Sequence, residues 1–529
     1  MSFFDTRTLT GARLIERDVC IIGAGPAGMA IAREFFGQST RIALVESGDI
    51  GIDDAAQELN SGERVGLPYP PLEKTRLRGF GGTTWHWGGN VKPMDPIDFE
   101  RRPGIHDSGW PFGLETLHPY YGKATHFFKL PPQVFDKPYW EKRHGPAWKF
   151  RDDAVSSQVF HTVGNGRVSG AVWEDDFRKA RNVDVFLNAT VVEVYTDEAV
   201  RHISEIIART TNGRVLRFRA RYFVLATGGI ENARFLLLAA NQQKEGLGNR
   251  HGFVGRYFQE HLTNPDFADL FPQDPFKNLG FYRGSSHDWG TAWGILRVAD
   301  STMRQHSLPN IRFQLSTVIN AFNENMDSPG MQSLLALSEA RGLDVSGDLG
   351  RHVANIIGDI NHIANAVYYR LAYYPNYPIR HITMVHIGEQ LPNRESRISL
   401  SDKLDRFGQR KVVMDWRLLD RDSTGVLETV RYLAKSFGES GIGRLVSRLP
   451  EGMFNDKPPK PHFHHMGTTR MHTDPRHGVV NADCRIHGLE NFYIAGSSVF
   501  PTSSCVNPTL TIVALAIRLA DHLKKRLRT

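Results

Sequence analysis

The sequence contains 529 residues, of which 40% are apolar and 23% are charged. These proportions are typical of globular domains and exclude a disordered or fibrous chain, and the length is sufficient for two or three domains. The 64 basic and 57 acidic residues give a net charge of +7. Because the basic residues are scattered along the chain, this charge does not predict a nucleic-acid partner.

Cysteine usage and hydropathy exclude further classes of protein. Three cysteines without a C-x-x-C motif cannot form a disulfide framework, a zinc ribbon or an attachment site for c-type haem. No run of about 18 apolar residues is present, which predicts that no helix spans a membrane. Residues 1–18 carry charges throughout and lack the apolar stretch of a signal peptide, which predicts a cytoplasmic location. Export with a partner that carries its own signal stays open.

Residues 18–46 have the pattern of a strand, a tight turn, a helix and a second strand. The predicted strands are Val19–Ile22 and Arg41–Glu46, and the predicted helix is Pro26–Phe36. A βαβ unit of this kind is the building block of a Rossmann-type parallel sheet.

The turn of this unit carries the motif Gly23-x-Gly25-x-x-Gly28. The first glycine permits the turn, the second lets the backbone approach a pyrophosphate, and the third allows the helix to pack closely on the strand. Phosphates are then expected at the helix N-terminus, where unpaired N–H groups favour anions. Glu46 follows Gly28 by 18 positions, where a carboxylate accepts both ribose hydroxyls and repels a 2′-phosphate. The pattern predicts a dinucleotide site that disfavours NADP.

Later segments predict further contacts with the same dinucleotide. Alternating apolar residues over 181–226 predict a β-meander that feeds a buried strand, and the glycine-rich turn at Ala226 and Thr227 follows that strand. Another predicted strand precedes a similar turn at Gly496 and Ser497. A dinucleotide enclosed by three distant segments is held permanently, which favours FAD over NAD. An NAD-dependent dehydrogenase remains the alternative.

The other predicted elements are a wrapping loop, a second domain and a C-terminal helix. Residues 79–90 are rich in glycine and aromatic side chains and predict a loop that can surround a ligand. Residues 265–450 are less periodic and predict a domain with a β-sheet and some helices. Pro508–Arg526 predicts a helix with proline in its first turn.

Four motifs, in this order along the chain, resemble those of the glucose–methanol–choline (GMC) oxidoreductase family. They are GGTTWHW at Gly81–Trp87, HHMGT at His464–Thr468, IAG at Ile494–Gly496 and NPTLT at Asn507–Thr511. Within the family they are similar to pyranose 2-oxidase and to the large subunits of bacterial fructose, gluconate and glucoside dehydrogenases. The middle of the chain supports no narrower assignment.

The resemblance implies an α/β fold with an α+β second domain. A Rossmann-type FAD-binding domain would be assembled from discontinuous segments and lie beside a β-sheet substrate-binding domain. The predicted segments are 11–100 (FAD-binding, first segment), 101–180 (substrate or cap segment), 181–264 (FAD-binding, second segment), 265–454 (substrate-binding) and 455–529 (FAD-binding, C-terminal segment with the catalytic residues).

The resemblance also implies that His464 and Asn507 are the catalytic residues beside N5 of the flavin. Hydride removal from a carbinol carbon requires the hydroxyl proton to leave, and a neutral imidazole is suited to accept it. The amide of asparagine can donate a hydrogen bond to the alcohol oxygen and orient it. His462 and His464 would share one face of a strand, but no further ligand cluster accompanies them, so we expect no metal.

The predicted cofactor is FAD. A covalent bond through His86 stays open, because the family attaches the flavin at this loop position in some members but not in others. The residues expected to contact the cofactor are Gly23, Gly25, Gly28, Glu46, Gly81, Gly82, Thr83, His86, Trp87, Asn90, Val191, Ala226, Thr227, Gly496, Ser497, Pro508 and Thr509.

The predicted activity is FAD-dependent oxidation of an alcohol, such as a sugar, glycoside or cyclitol hydroxyl, to a carbonyl. Without a haem-attachment motif, the electrons must leave to a quinone, a separate cytochrome or oxygen, and the motifs favour a dehydrogenase. A small or cytochrome subunit stays open as a partner. The alternatives are a carbohydrate oxidase that produces hydrogen peroxide and a flavin-binding subunit without catalysis. The chain has no G-x-S-x-G motif, which argues against a hydrolase.

Overall fold

The computed structural model describes residues 3–9, 13–164, 170–339, 349–449 and 458–529. The strands in these ranges are β1 (Phe3–Asp5), β2 (Arg13–Ile22), β3 (Ile42–Val45), β4 (Gly62–Gly66), β5 (Asn90–Val91), β6 (Val155–Val163), β7 (Val183–Leu187), β8 (Thr190–Thr196), β9 (Ile203–Arg209), β10 (Val215–Leu225), β11 (His261–Pro272), β12 (Ser285–His287), β13 (Gly290–Val298), β14 (Ile311–Asn320), β15 (Ile379–Glu389), β16 (Arg397–Leu404), β17 (Arg410–Trp416), β18 (Gly443–Ser447), β19 (Lys460–Pro461) and β20 (Phe492–Ile494).

The α-helices of the same ranges are α1 (Pro26–Arg33), α2 (Asp54–Gln57), α3 (Pro96–Phe99), α4 (Leu114–Phe127), α5 (Lys137–His144), α6 (Gly170–Lys179), α7 (Gly228–Leu238), α8 (Asp300–His306), α9 (Ala321–Met326), α10 (Pro329–Glu339), α11 (Leu349–Gly358), α12 (Ile360–Tyr373), α13 (Asp420–Glu439) and α14 (Thr509–Arg528). Short 3₁₀ helices cover Glu58–Asn60, Leu72–Lys74, Gly82–Trp85 and Ser497–Val499.

The first sheet is the predicted Rossmann-type sheet. Its order is β1-β7-β3-β2-β10-β9-β8, and β20 also pairs with β10. Strands β1, β7, β3, β2, β10 and β20 run parallel, whereas β8, β9 and β10 form the predicted antiparallel meander. Ile22 is paired with both Val45 and Leu225, and Leu225 with Ile494. Four strands therefore end at the same edge, which is where ligands bind in parallel sheets.

All three elements of the predicted βαβ unit differ in their bounds from the predictions, and the strand predicted as Arg41–Glu46 covers Ile42–Val45. The strand predicted as Val19–Ile22 is the last part of β2, whose first half is charged and partly exposed but pairs with β10 all the same. Backbone pairing with β10 extends this strand toward its N-terminus, where the hydropathy of the side chains does not predict a strand. The helix predicted as Pro26–Phe36 ends at Arg33.

The second sheet is antiparallel throughout, in the order β18-β11-β15-β14-β13-β6-β5, with β12 on β13 and β19 on β11. On β11, His261 pairs with Glu389 and Thr263 with Ile387, and Ile387 also pairs with Arg312 of β14. Because side chains alternate along a strand, His261, Thr263 and Arg312 share one face of this sheet. A third, small sheet has the order β16-β17-β4.

One buried apolar core extends through both large sheets. It includes Ile21 and Val224 of the first sheet and Leu296 and Phe313 of the second, all essentially inaccessible to solvent. The core therefore holds the two sheets in a fixed relation, and the face that carries His261 is set against the C-terminal segment.

Candidate active site

A cavity of about 680 Å³ opens at the carboxyl edge of the first sheet. This volume is in the range of ligand pockets in proteins. Of the nineteen residues predicted to form the site, sixteen line the cavity: Gly23, Gly25, Glu46, Gly82, Thr83, His86, Trp87, Val191, Ala226, Thr227, His464, Gly496, Ser497, Asn507, Pro508 and Thr509.

The other three predicted residues, Gly28, Gly81 and Asn90, lie outside this lining. A Cβ on Gly28 would lie 2.0 Å from the carbonyl oxygen of Gly23, so this glycine is needed for the close packing of α1. Gly81 has a φ of +101°, which favours glycine in the loop. Asn90 lies on β5, where its Oδ1 accepts a hydrogen bond of 2.5 Å from the Thr162 hydroxyl.

The carboxylate of Glu46 closes the first turn of the Rossmann sheet. Its Oε2 accepts a 2.8 Å hydrogen bond from the backbone N–H of Ala24, and its Oε1 accepts one of 2.9 Å from the N–H of Gly48. The side chain is buried and lines the cavity. Glu46 therefore holds the loops on both sides of the site in place and keeps lone pairs for a ligand, since a carboxylate has about four acceptor positions.

The segment 79–90, predicted as a loop, contains the 3₁₀ helix Gly82–Trp85 and the first residue of β5. It places the side chains of His86 and Trp87 on the cavity wall. Burial lowers the pKa of His86. The imidazole is therefore mostly neutral at neutral pH, and in that form one ring nitrogen has a free lone pair.

A cluster of buried charges, which sequence reasoning missed, forms another part of the wall. Glu231 makes ion pairs with Arg76 (3.1 Å), Arg78 (2.8 Å) and Arg234 (3.3 Å), and Arg234 also pairs with Asp405 at 2.7 Å. Burial raises the pKa of Glu231, but the three guanidinium groups outweigh it and lower the pKa to about 2. Three arginines against two carboxylates leave one positive charge in excess, which suits an anionic ligand group.

The two predicted catalytic side chains are in direct contact. The amide Nδ2 of Asn507 lies 3.1 Å from Nε2 of His464. The amide oxygen of Asn507 accepts hydrogen bonds of 3.1 Å from both terminal nitrogens of Arg312, which fixes Nδ2 toward His464. Burial, followed by the neighbouring His261, His462 and Arg312, lowers the pKa of His464 well below 6.5. The imidazole is therefore neutral at neutral pH and can accept a proton.

Three further residues of this site were not predicted: Glu260, His261 and Arg312. Nδ1 of His261 lies 2.9 Å from Nδ1 of His464. Oε2 of Glu260 accepts hydrogen bonds from the backbone N–H groups of His261, His462 and His464 at 3.0, 3.2 and 3.1 Å. Burial raises the pKa of Glu260 to about 7.

These three residues share a sequence feature that could have revealed them. Glu260 and His261 lie at the start of the buried strand β11, directly before Leu262, and Arg312 stands between Ile311 and Phe313. Ionisable residues inside buried strands need partners, so such positions point to a polar site.

Comparison with known proteins shows which proteins this chain is similar to. Residues 392–516 match the family model described as GMC oxidoreductase. Over its full length the chain is 22% identical to 2-methyl-1,2-propanediol dehydrogenase of Mycolicibacterium austroafricanum, covering 97% of this chain and 96% of that one. The C-terminal part of the chain is therefore similar to GMC oxidoreductases. The resemblance seen in the four motifs is thereby confirmed.

Other relatives of the chain include both oxidases and dehydrogenases. It is 25% identical to 6'''-hydroxyparomomycin C oxidase of Streptomyces lividus, over 96% of this chain and 92% of the relative. It is 22% identical to the fructose dehydrogenase large subunit of Gluconobacter japonicus, over 97% and 99%. The solved structure of a formate oxidase variant from Aspergillus oryzae RIB40, an enzyme whose FAD is modified, superimposes with a TM-score of 0.55 at 16% identity and covers 97% of this chain and 98% of that one. The predicted fold class is confirmed, and FAD is the cofactor of the family.

Two further observations concern metals and membranes. Across the described ranges, no group of three or more His, Cys, Asp or Glu side chains is arranged to hold a metal ion. None of the helices described is both long enough and apolar enough to cross a bilayer.

Proposed function

We propose that this protein binds FAD in the cavity and oxidises a hydroxyl group of a sugar, glycoside or cyclitol to a carbonyl. One observation carries the proposal: a neutral, partly buried imidazole, that of His464, lies beside an oriented amide donor, that of Asn507, in the same cavity as the Rossmann turn. The names of the relatives, which include a propanediol dehydrogenase and a fructose dehydrogenase large subunit, support a hydroxyl substrate.

The residues present fit FAD. A Cβ on Gly25 would meet no atom within 4 Å, so the backbone at the N-terminus of α1 is open to the cavity. This position suits a diphosphate, and the buried carboxylate of Glu46 suits a ribose. When bound, FAD supplies a two-electron acceptor for a hydride.

The side chains of His464 and Asn507 can hold an alcohol between them. A hydroxyl group donates one hydrogen bond and accepts others, so it can replace the present contact between Nδ2 of Asn507 and Nε2 of His464 with two bonds. The hydroxyl then donates to Nε2 of His464 and accepts from Nδ2 of Asn507. As the O–H bond breaks, the proton passes to His464, and the C–H bond breaks with its electron pair leaving as hydride, so that a carbonyl remains.

Anaerobic reduction tests this function. The purified protein should be yellow, and its flavin absorbance should bleach when it is mixed without oxygen with members of a panel of sugars, glycosides, cyclitols and simple alcohols. His464→Ala should bind the flavin and bleach at least a hundredfold more slowly. A colourless protein, or a flavin that no member of the panel reduces, would disprove the proposal.

We further propose that His86 carries the flavin covalently. Its neutral imidazole on the cavity wall supports a nucleophilic role. After precipitation with acid, wild-type protein should give a yellow pellet, and His86→Ala should give a colourless one. A yellow supernatant from wild-type protein would contradict the bond.

For the electron acceptor we propose a carrier, such as a quinone or a cytochrome, rather than oxygen. The two dehydrogenases among the relatives support a carrier, and the name "large subunit" supports a partner subunit, whereas the paromomycin-type oxidase supports oxygen. After reduction by substrate, the flavin should reoxidise slowly in air and rapidly with a benzoquinone or ferricenium. Equally rapid reoxidation in air, with hydrogen peroxide formed in equal yield, would identify an oxidase.

A further inference from the structure

A chain of hydrogen bonds leads from a backbone carbonyl through two histidines to the cavity. Nε2 of His261 lies 3.0 Å from the carbonyl oxygen of Ser503, and Nδ1 of His261 lies 2.9 Å from Nδ1 of His464. His261 is fully buried at the start of β11.

The carbonyl determines which nitrogen of His261 carries the proton. A carbonyl oxygen only accepts hydrogen bonds, so Nε2 of His261 must be the N–H. Burial lowers the pKa of His261 to about 3, so the ring is neutral and has a single N–H. Nδ1 of His261 therefore carries a lone pair and accepts a hydrogen bond. The nitrogen opposite it, Nδ1 of His464, must be the donor.

The same reasoning leaves Nε2 of His464 without a proton. That nitrogen faces Nδ2 of Asn507, which is an N–H donor because the amide oxygen of Asn507 is occupied by Arg312. The tautomer of His464 deduced from Ser503 through His261 is therefore the same as the tautomer deduced from Arg312 through Asn507. The two deductions start from independent groups.

We infer that His261 is a positioning residue that sets the tautomer of His464 and so makes Nε2 the atom that receives the substrate proton. The inference rests on the proposed function because it takes His464 as the base. The tautomer assignment does not depend on that function. The proton that His464 gains cannot pass beyond His261, because Nε2 of His261 already donates to the Ser503 carbonyl oxygen, which takes up no proton.

Nitrogen-15 NMR of histidine-labelled holoprotein measures the tautomer directly. The signals of His464 are assigned by their loss in His464→Ala. We expect a protonated Nδ1 and an unprotonated Nε2 in wild-type protein near neutral pH. A proton on Nε2 of His464 in wild-type protein would overturn the inference, whether or not the variants at position 261 fold.

Two variants at position 261 separate positioning from packing. His261→Gln keeps both functions, since its amide can donate to Ser503 and accept from His464. His261→Leu has a similar volume but can do neither. The leucine variant should lose the single tautomer and reduce its flavin about 10²- to 10⁴-fold more slowly, a range whose upper end is typical of an enzyme histidine held in the wrong tautomer. The glutamine variant should recover to within about tenfold of wild type, with substrate affinity little changed in both.

His386→Leu is the matched control, because His386 is equally buried, lies on β15 of the same sheet and bonds to Asn264 instead. It should keep the tautomer and the rate. Rates are compared on the pH plateau, since His462, His465, Arg312 and Glu260 also influence the charge near His464. Equal losses in His386→Leu and His261→Leu, or no rescue by glutamine, would overturn the inference. If the tautomer is as expected but no alcohol reduces the flavin, the proposed function fails and the tautomer assignment stands.

Discussion

At the scale of single residues, the buried charge of Arg312 affects the pKa of His464. Its guanidinium is fully buried, stacks over Phe160 at 4.0 Å and donates to uncharged oxygens of Cys505 and Asn507. This guanidinium also lowers the pKa of His464, although burial and the neighbouring histidines have larger effects. A histidine is basic only above its pKa, so a lowered pKa extends the active form to more acidic conditions.

We therefore expect flavin reduction to stay fast below pH 6.5, the usual value for histidine. Arg312→Met removes the positive charge, so the pKa of His464 should rise and the acid limb of the rate should move to higher pH. Arg312→Lys keeps the charge and should keep the limb. Stopped-flow reduction across acidic and neutral pH measures this, and Glu260→Gln identifies any limb due to Glu260, whose pKa is raised to about 7. An unchanged limb in Arg312→Met would contradict the electrostatic role.

Two substitutions of Asn507 distinguish the loss of its hydrogen-bond donor from a change of charge beside His464. Asn507→Ala should slow flavin reduction by roughly ten- to a thousandfold, the range for loss of one aligned donor, with the acid limb in place. Asn507→Asp also loses the donor but adds a negative charge beside His464, so the pKa of His464 should rise and the limb should move to higher pH. The same stopped-flow series measures both variants. A limb that moves equally in both would show that charge is not the cause.

At the scale of elements, the glycines of the first turn have separate tasks. A Cβ on Gly28 would lie 2.0 Å from the Gly23 carbonyl oxygen, whereas one on Gly25 would meet nothing within 4 Å. Gly28→Ala should therefore destabilise the fold by about 1–3 kcal/mol or more, as overpacking does, and lower Tm. Gly25→Ala should leave the Tm of the apoprotein unchanged and weaken FAD binding, because its methyl group enters the cavity. Thermal unfolding and FAD titration measure the two effects, and wild-type FAD affinity in Gly25→Ala would contradict the placement of the diphosphate.

At the scale of the whole molecule, the cavity joins parts of the chain that are far apart in sequence. Its wall includes Gly23, Thr227 and Gly496, which follow three different strands of the first sheet. A ligand that binds only the folded state stabilises it by about 2.7 kcal/mol at a hundred times its Kd.

FAD should therefore raise the Tm of the apoprotein by a few degrees, more as its concentration increases. If His86 holds the flavin covalently, the apoprotein is prepared from His86→Ala. Glu46→Arg should suppress the increase, because a cation replaces the acceptor of the ribose hydroxyls. A Tm independent of FAD would show that the cavity is not the cofactor site.

The sequence alone was enough for the features that local pattern encodes. Strand periodicity, the glycine spacing of the first turn and the position of Glu46 predicted the Rossmann sheet, because these elements form between residues that are near each other along the chain. The sequence also predicts His464 and Asn507, because each lies in a short motif that resembles those of the GMC family. Their roles stay predictions until the variants are measured.

Only the tertiary structure brought the partners of His464 together. His261 is 203 residues from His464, and Arg312 is 195 residues from Asn507. Their contacts depend on the pairing of β11, β15 and β14 and on the packing of that sheet against the C-terminal segment. The sequence carries no periodic signal for strand pairing over such distances. The register depends on which faces of the strands are buried and not on residues that are neighbours along the chain. The same is true of Glu231, whose charge is balanced by Arg76 and Arg78 from a different part of the chain.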